Sequence, residues 1–186
     1  MQHALSQELL AFLDASPTCF HAVKNLADRL DEAGFTPLTE TEVWELSPGS
    51  SYYVERNGSA LIAFTIPTGG VHSWRVSASH SDSPTWRVKK LDCAEDKVFA
   101  KAETEGYGGM IMPSWFDRPL SLAGRVIVRA NGELQSRLIN FDRDMLLIPS
   151  VAPHFKRTGE KDELNMQADL LPIYGDGAAC GTFLQM

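Results

Sequence analysis

Apolar residues at Leu5, Leu9, Phe12 and Leu13 recur at helical spacing and predict a helix from Leu5 to Ala15, broken by Ser16-Pro17. A second helix is expected from about Cys19 to Ala33, with Phe20, Val23, Leu26, Ala27 and Leu30 on one face and Gly34 as its stop. From Ser51 the period changes to two. Tyr52 to Arg56, Asn57-Gly58 and Ala60 to Ile66 read as a β-hairpin, because Asn-Gly supplies the positive φ of a type I′ turn. Val71 to Ser79 reads as a third strand and Thr85 to Leu91 as a fourth. Near residues 91–97 the character shifts towards a strand-rich region. Lys97 to Glu103 is a further strand candidate, and Glu105-Gly-Tyr-Gly-Gly109 reads as a glycine-rich loop matching neither a P-loop nor a dinucleotide fingerprint. Gly124 to Ala130, Asn131-Gly132 and Glu133 to Phe141 form a second Asn-Gly hairpin. Gly175 to Gly181 then leads into Thr182 to Met186, the opening of one more helix or strand.

The strand that begins at Val71 delivers His80, then Asp82 two residues later, before Pro84 turns the chain. Residues i and i+2 of a strand share a face, so the imidazole and the carboxylate can meet. A metal-bound imidazole needs its second ring nitrogen hydrogen-bonded, and a neighbouring carboxylate does this. The pair therefore reads as one metal ligand with its orienting group, or as a histidine capping a strand and an aspartate capping the following turn. Among the other candidates, His21 fits a helix entry and His72 a half-exposed strand position. Trp115-Phe116 beside Asp117-Arg118 fits an interface plug with an ion pair.

Four blocks, in order along the chain, carry a family resemblance. Ser79-His-Ser-Asp-Ser-Pro84 with Arg87-Val-Lys89 resembles the His-Thr-Asp-Ser-Pro … Arg-Val-Lys signature of the M18 metallopeptidases, the aspartyl aminopeptidase family. Tyr107-Gly-Gly109, Trp115-Phe-Asp-Arg118 and Leu120-Ser-Leu-Ala-Gly-Arg-Val126 resemble a second block of that family. Ile148-Pro-Ser-Val-Ala-Pro-His154 and Ala15-Ser-Pro-Thr-Cys-Phe-His21 resemble two more. Thr85-Trp86 and Pro119 depart from the family pattern without replacing a zinc ligand. The resemblance implies an α/β fold: the N-terminal part of a zinc-aminopeptidase catalytic domain over residues 1–91, then an incomplete β-rich, barrel-like dimerisation domain over 92–186. It implies His80 as a zinc ligand, Asp82 as the carboxylate that orients it, and His154 as a histidine reaching a neighbouring subunit's active site. A surface or interface histidine is the other reading of His154. The implied cofactor is a pair of zinc ions, the implied substrates are peptides with acidic N-terminal residues, and the implied assembly is a dodecamer.

A two-zinc peptidase site needs about five or six ligands and a carboxylate base. In the family these come from an Asp-Asn block, a Glu-Glu pair, a further Asp and a C-terminal His. Here Glu95-Asp96, Glu103/Glu105 and Asp142/Asp144 stand in no matching context and read as solvated surface. One ligand cannot hold catalytic zinc, so the chain alone is expected to be inactive, with a non-catalytic interaction module or remnant that pairs with a full-length relative as the alternative. The net charge of −7 argues against nucleic acid or an anionic membrane as partner. No apolar run approaches the ~20 residues that span a bilayer. The three cysteines, Cys19, Cys93 and Cys180, are widely spaced, which indicates neither a zinc ribbon nor a disulfide framework and makes a reducing cytoplasm the default.

Overall fold

The computed structural model describes residues 2–93, 98–155, 164–165 and 169–182. They divide into two compact units: residues 1–83 with 123–140, and residues 84–122 with 141–186. This division differs from the one expected at residues 91 and 92, which would cut a strand. It also gives the second Asn-Gly hairpin to the first unit.

In the first unit, α1 (Gln2–Asp14) precedes α2 (Cys19–Glu32). Thr18 caps α2: its hydroxyl accepts from the His21 backbone N–H at 3.4 Å and also bonds the His21 ring Nδ1 at 2.8 Å. His21 thus has the capping role that its place at the helix entry suggests, and burial lowers its imidazole pKa. The other end closes through Gly34, whose φ of +81° is the left-handed conformation of a helix stop. Ala22, Val23 and Ala27 form the buried stripe of α2.

A three-stranded sheet follows, in the order β1 (Thr36–Leu38), β2 (Ser51–Arg56), β3 (Ala60–Thr65). β1 and β2 are parallel, whereas β2 and β3 form the expected hairpin, with Asn57 and Gly58 at φ +53° and +61°. Tyr52 and Tyr53 are buried in β2, and both hydroxyls are engaged. Tyr52 accepts from the Ser47 amide at 2.9 Å, and Tyr53 donates to Asp31 of α2 at 2.8 Å, tying helix to sheet.

Residues 71–79, expected as a strand, join no ladder. The Trp74, Val76, Ala78 alternation is present, but no neighbouring strand among the described residues takes up its backbone groups. Trp74 is 64% exposed and Val76 is 86% exposed. Alternation alone does not make a strand, because the ladder needs a second edge. His72 is exposed as well, with its ring Nε2 3.2 Å from the Gly69 carbonyl. The hairpin β6 (Ala123–Ala130) and β7 (Glu133–Asn140) completes the unit, turning at Asn131 and Gly132. Its Arg125 donates to the backbone and side-chain oxygens of Asn57 at 2.7 and 3.1 Å and lies 4.2 Å over the Phe20 ring.

The second unit is built on an antiparallel sheet in the order β4 (Thr85–Cys93), β5 (Phe99–Tyr107), β8 (Ile173–Asp176). β5 is the central strand, and its alternate residues Ala100, Ala102 and Thr104 are buried. Leu146, Ile148 and Leu170 complete this core. Because β5 runs to Tyr107, Glu105-Gly106-Tyr107 belongs to the strand, and the expected loop reduces to a turn at Gly108, which packs 3.5 Å from Pro84. Arg87 stacks on the Tyr107 ring at 3.6 Å, and Trp86 meets Trp115 edge to face. Near the end of the chain, β8 leads into a single 3-10 turn at Gly177–Ala179. The element expected at 182–186 falls almost wholly outside the described residues. Cys19 is a free thiol, whereas Cys180 is disulfide-bonded, a cross-link that the wide cysteine spacing does not indicate. No described helix is long and apolar enough to cross a membrane.

Candidate functional site

His80 and Asp82 meet as their spacing predicts, although the segment between them is a bend rather than a strand end. The His80 Nδ1 lies 2.9 Å from the Asp82 Oδ1. A carboxylate only accepts, so a neutral imidazole in this pair carries its proton on Nδ1 and keeps the Nε2 lone pair for another electrophile. The His80 side chain is 91% exposed, which turns Nε2 to solvent, while Asp82 is two-thirds covered. Ser81 secures the segment by donating its hydroxyl to the Ser59 carbonyl at 2.9 Å, beside the start of β3.

This arrangement fits one metal ligand with its orienting carboxylate. It does not fit a complete metal site: among the described residues no group of three or more His, Cys, Asp or Glu side chains could hold an ion. Glu103 pairs with Lys89 at 3.4 Å, and Glu105, Asp142 and Asp144 are exposed. Glu95-Asp96 lies outside the described residues.

His154 belongs to the second unit, in the 3-10 turn Pro153–Phe155, and is exposed. Asp117 does not form the expected ion pair with Arg118. Its carboxylate accepts from the Ser150 amide at 2.9 Å, and hydrogen bonding by the Ser150 side chain, then by that amide, holds its pKa below the ordinary carboxylate value.

A carboxylate cluster in the first unit escapes sequence reading because its members come from α2 and β2. Phe20, Asp28, Asp31, Tyr53, Glu55 and Arg125 are among the residues lining a groove of about 410 Å³. Burial, followed by the hydrogen bond and charge of Asp31, pushes the Tyr53 hydroxyl up to about 12. Desolvation, then Asp31 and Asp28, raises the Glu55 carboxyl. Two cationic groups line the same groove, Lys24, which pairs with Asp28, and Arg125, and they offset part of this negative charge.

The histidine–aspartate pair and the Ser83-Pro84 that follows it lie within the stretch of chain that known proteins match. The family description for aminopeptidase I zinc metalloproteases, M18, matches residues 12–179. The chain belongs to the M18 aminopeptidase family. It is 39% identical over 176 residues to a Clostridium novyi protein named "Probable M18 family aminopeptidase 2", covering 91% of this chain and 41% of that protein. Among solved structures, the cryo-EM structure of the Ape4 and Nbr1 complex matches with a TM-score of 0.82 and 35% identity, over 97% of this chain and 35% of that one. The S. cerevisiae mApe1 dodecamer matches with a TM-score of 0.73 and 28% identity, over 91% and 38% respectively. The chain thus spans about 41% of the curated relative's length.

Proposed function

We propose that this chain carries the first histidine ligand of a two-zinc aminopeptidase site. In this reading Asp82 orients His80, and the remaining ligands and the general base belong to parts of the M18 fold outside the 186 residues. The observation that carries it is the 2.9 Å contact from His80 Nδ1 to Asp82, which leaves Nε2 available. Within the same reading the β-rich region over residues 92–186 serves dimerisation, His154 reaches a neighbouring subunit's site, and the family assembly is the dodecamer seen for mApe1. Peptides with acidic N-terminal residues are the proposed substrates; the cytoplasm is the proposed compartment, a reducing one that would act against the Cys180 disulfide.

The 186 residues alone should release no N-terminal Asp or Glu from a peptide, with or without added zinc, because one imidazole and its carboxylate cannot hold a catalytic ion. The test is a chimera in which this chain replaces the matching 41% of the Clostridium novyi relative. Its zinc content and its turnover of an N-terminal Asp or Glu substrate are then measured. His80→Ala should lose both together; retained turnover refutes the assignment. A second reading, a non-catalytic module pairing with a full-length relative, is favoured by the exposed apolar residues of the 71–80 segment. Co-purification of the 186-residue chain with the full-length Clostridium novyi relative, lost on Trp74→Ser, supports that reading; no association counts against it.

A further inference from the structure

We propose that Asp117 is a positioning residue for His154, fixing the segment from Ile148 through the Pro153–Phe155 turn. The proposal rests on the reading of His154 given above. Asp117 has a φ of +53°, a conformation glycine adopts freely and side chains adopt at a cost. Aspartate and asparagine tolerate that conformation better than other side chains, so the turn itself is accommodated and the hydrogen bonds carry the argument. Its backbone N–H donates to the Ile148 carbonyl at 3.0 Å, and its carboxylate accepts from the Ser150 N–H at 2.9 Å. One residue therefore grips the 148–150 segment at both ends.

The far side of that segment is pinned independently. Leu147 exchanges two backbone hydrogen bonds with Ile173, at 3.0 and 2.8 Å, and Ile148 is fully buried. From Ser150 the chain reaches His154 in four residues. Pro149 and Pro153 have their φ fixed by the ring, and the Phe155 N–H closes the turn on the Ala152 carbonyl at 3.0 Å. Freedom removed at Ser150 is therefore removed from the imidazole. His154 itself is exposed, so its placement depends on its backbone more than on side-chain packing.

The test compares Asp117→Gly, which keeps the positive φ and removes the acceptor, with Asp117→Asn, which keeps an acceptor oxygen. Amide hydrogen exchange at Ser150 and the NMR ring signals of His154 are read in the 186-residue chain, with the Ala102 amide as a control in the same core. Asp117→Gly should speed Ser150 exchange about tenfold, the equivalent of one lost charge-assisted hydrogen bond, and shift or broaden the His154 ring signals. Ala102 should be unchanged, and Asp117→Asn should restore both signals. His154 ring signals that match the unmodified protein while Ser150 exchange rises overturn the proposal, as does an equal rise at Ala102. Should Asp117→Gly fail to fold, the unmodified chain is titrated with acid, and the Ser150 amide and His154 ring signals should move together as Asp117 protonates; independent movement overturns the proposal. Turnover is not read here, so an unimportant His154 is detected separately, by His154→Ala in the chimeric enzyme.

Discussion

Tyr53→Phe tests how the sheet of the first unit is tied to α2. The ring is buried at 5% exposure, and its hydroxyl donates to Asp31 Oδ1 at 2.8 Å. A hydrogen bond to a charged group contributes about 1.5–3 kcal/mol when both partners are sheltered. Asp31 is exposed, so water can replace the lost donor and the expected cost falls to about 1 kcal/mol. For a chain of this size that lowers Tm by roughly 2–4 °C, measurable by far-UV circular dichroism. The pH dependence is more specific. The folded hydroxyl is held at about 12 against an ordinary 10.0, so its contribution is complete below pH 10 and is lost as pH rises from 10 to 12. The stability gap between the unmodified chain and Tyr53→Phe should therefore be steady from pH 7 to 9 and close above 10. A gap that persists unchanged to pH 12, or no gap at all, refutes the reasoning.

Three further outcomes are expected. Gly175→Ala places a Cβ in collision with the Ala179 Cβ, so β8 or the turn after it must shift; a destabilisation of about 1–3 kcal/mol should appear in urea unfolding, and an unchanged midpoint would contradict the packing. Asp117 has its carboxyl held below 3.8, so the Ser150 clamp should persist above that pH and fail as pH falls through the folded value. In NMR spectra the Ser150 amide should move in that acid range, and in Asp117→Asn it should not. In the chimeric enzyme Asp82→Asn should weaken zinc affinity or activity roughly 10- to 100-fold, and a silent substitution would remove Asp82 from its role.

Local signals in the sequence transferred well to the structure. Asn57-Gly58 and Asn131-Gly132 each impose a turn through their own backbone preference, so both hairpins formed where their residues require. The His80–Asp82 contact was legible because its partners are only two positions apart. What needed distant partners was not. Val71 to Ser79 alternates like a strand, yet no ladder among the described residues receives it. Glu105 to Tyr107 carries a glycine that suggests a loop, but pairing with β4 holds it extended. Asp117 looked like half of an ion pair with its neighbour, and its real partner is a backbone amide 33 residues away. Nothing in a single chain's residue pattern announces such a partner.

The grip of Arg125 on Asn57 also sets a timetable. These residues are 68 positions apart, with 84–122 emerging between them. Closing a loop of that length costs about 3–4 kcal/mol in chain entropy. At roughly 5–20 residues per second, a ribosome leaves Asn57 waiting on the order of 3–14 seconds for its arginine, and Phe20 longer still. Over that interval the nascent α2–β2–β3 assembly holds an uncovered aromatic ring and an acidic groove. A chaperone that reads early chains would meet the first unit in that state, before its last hairpin exists.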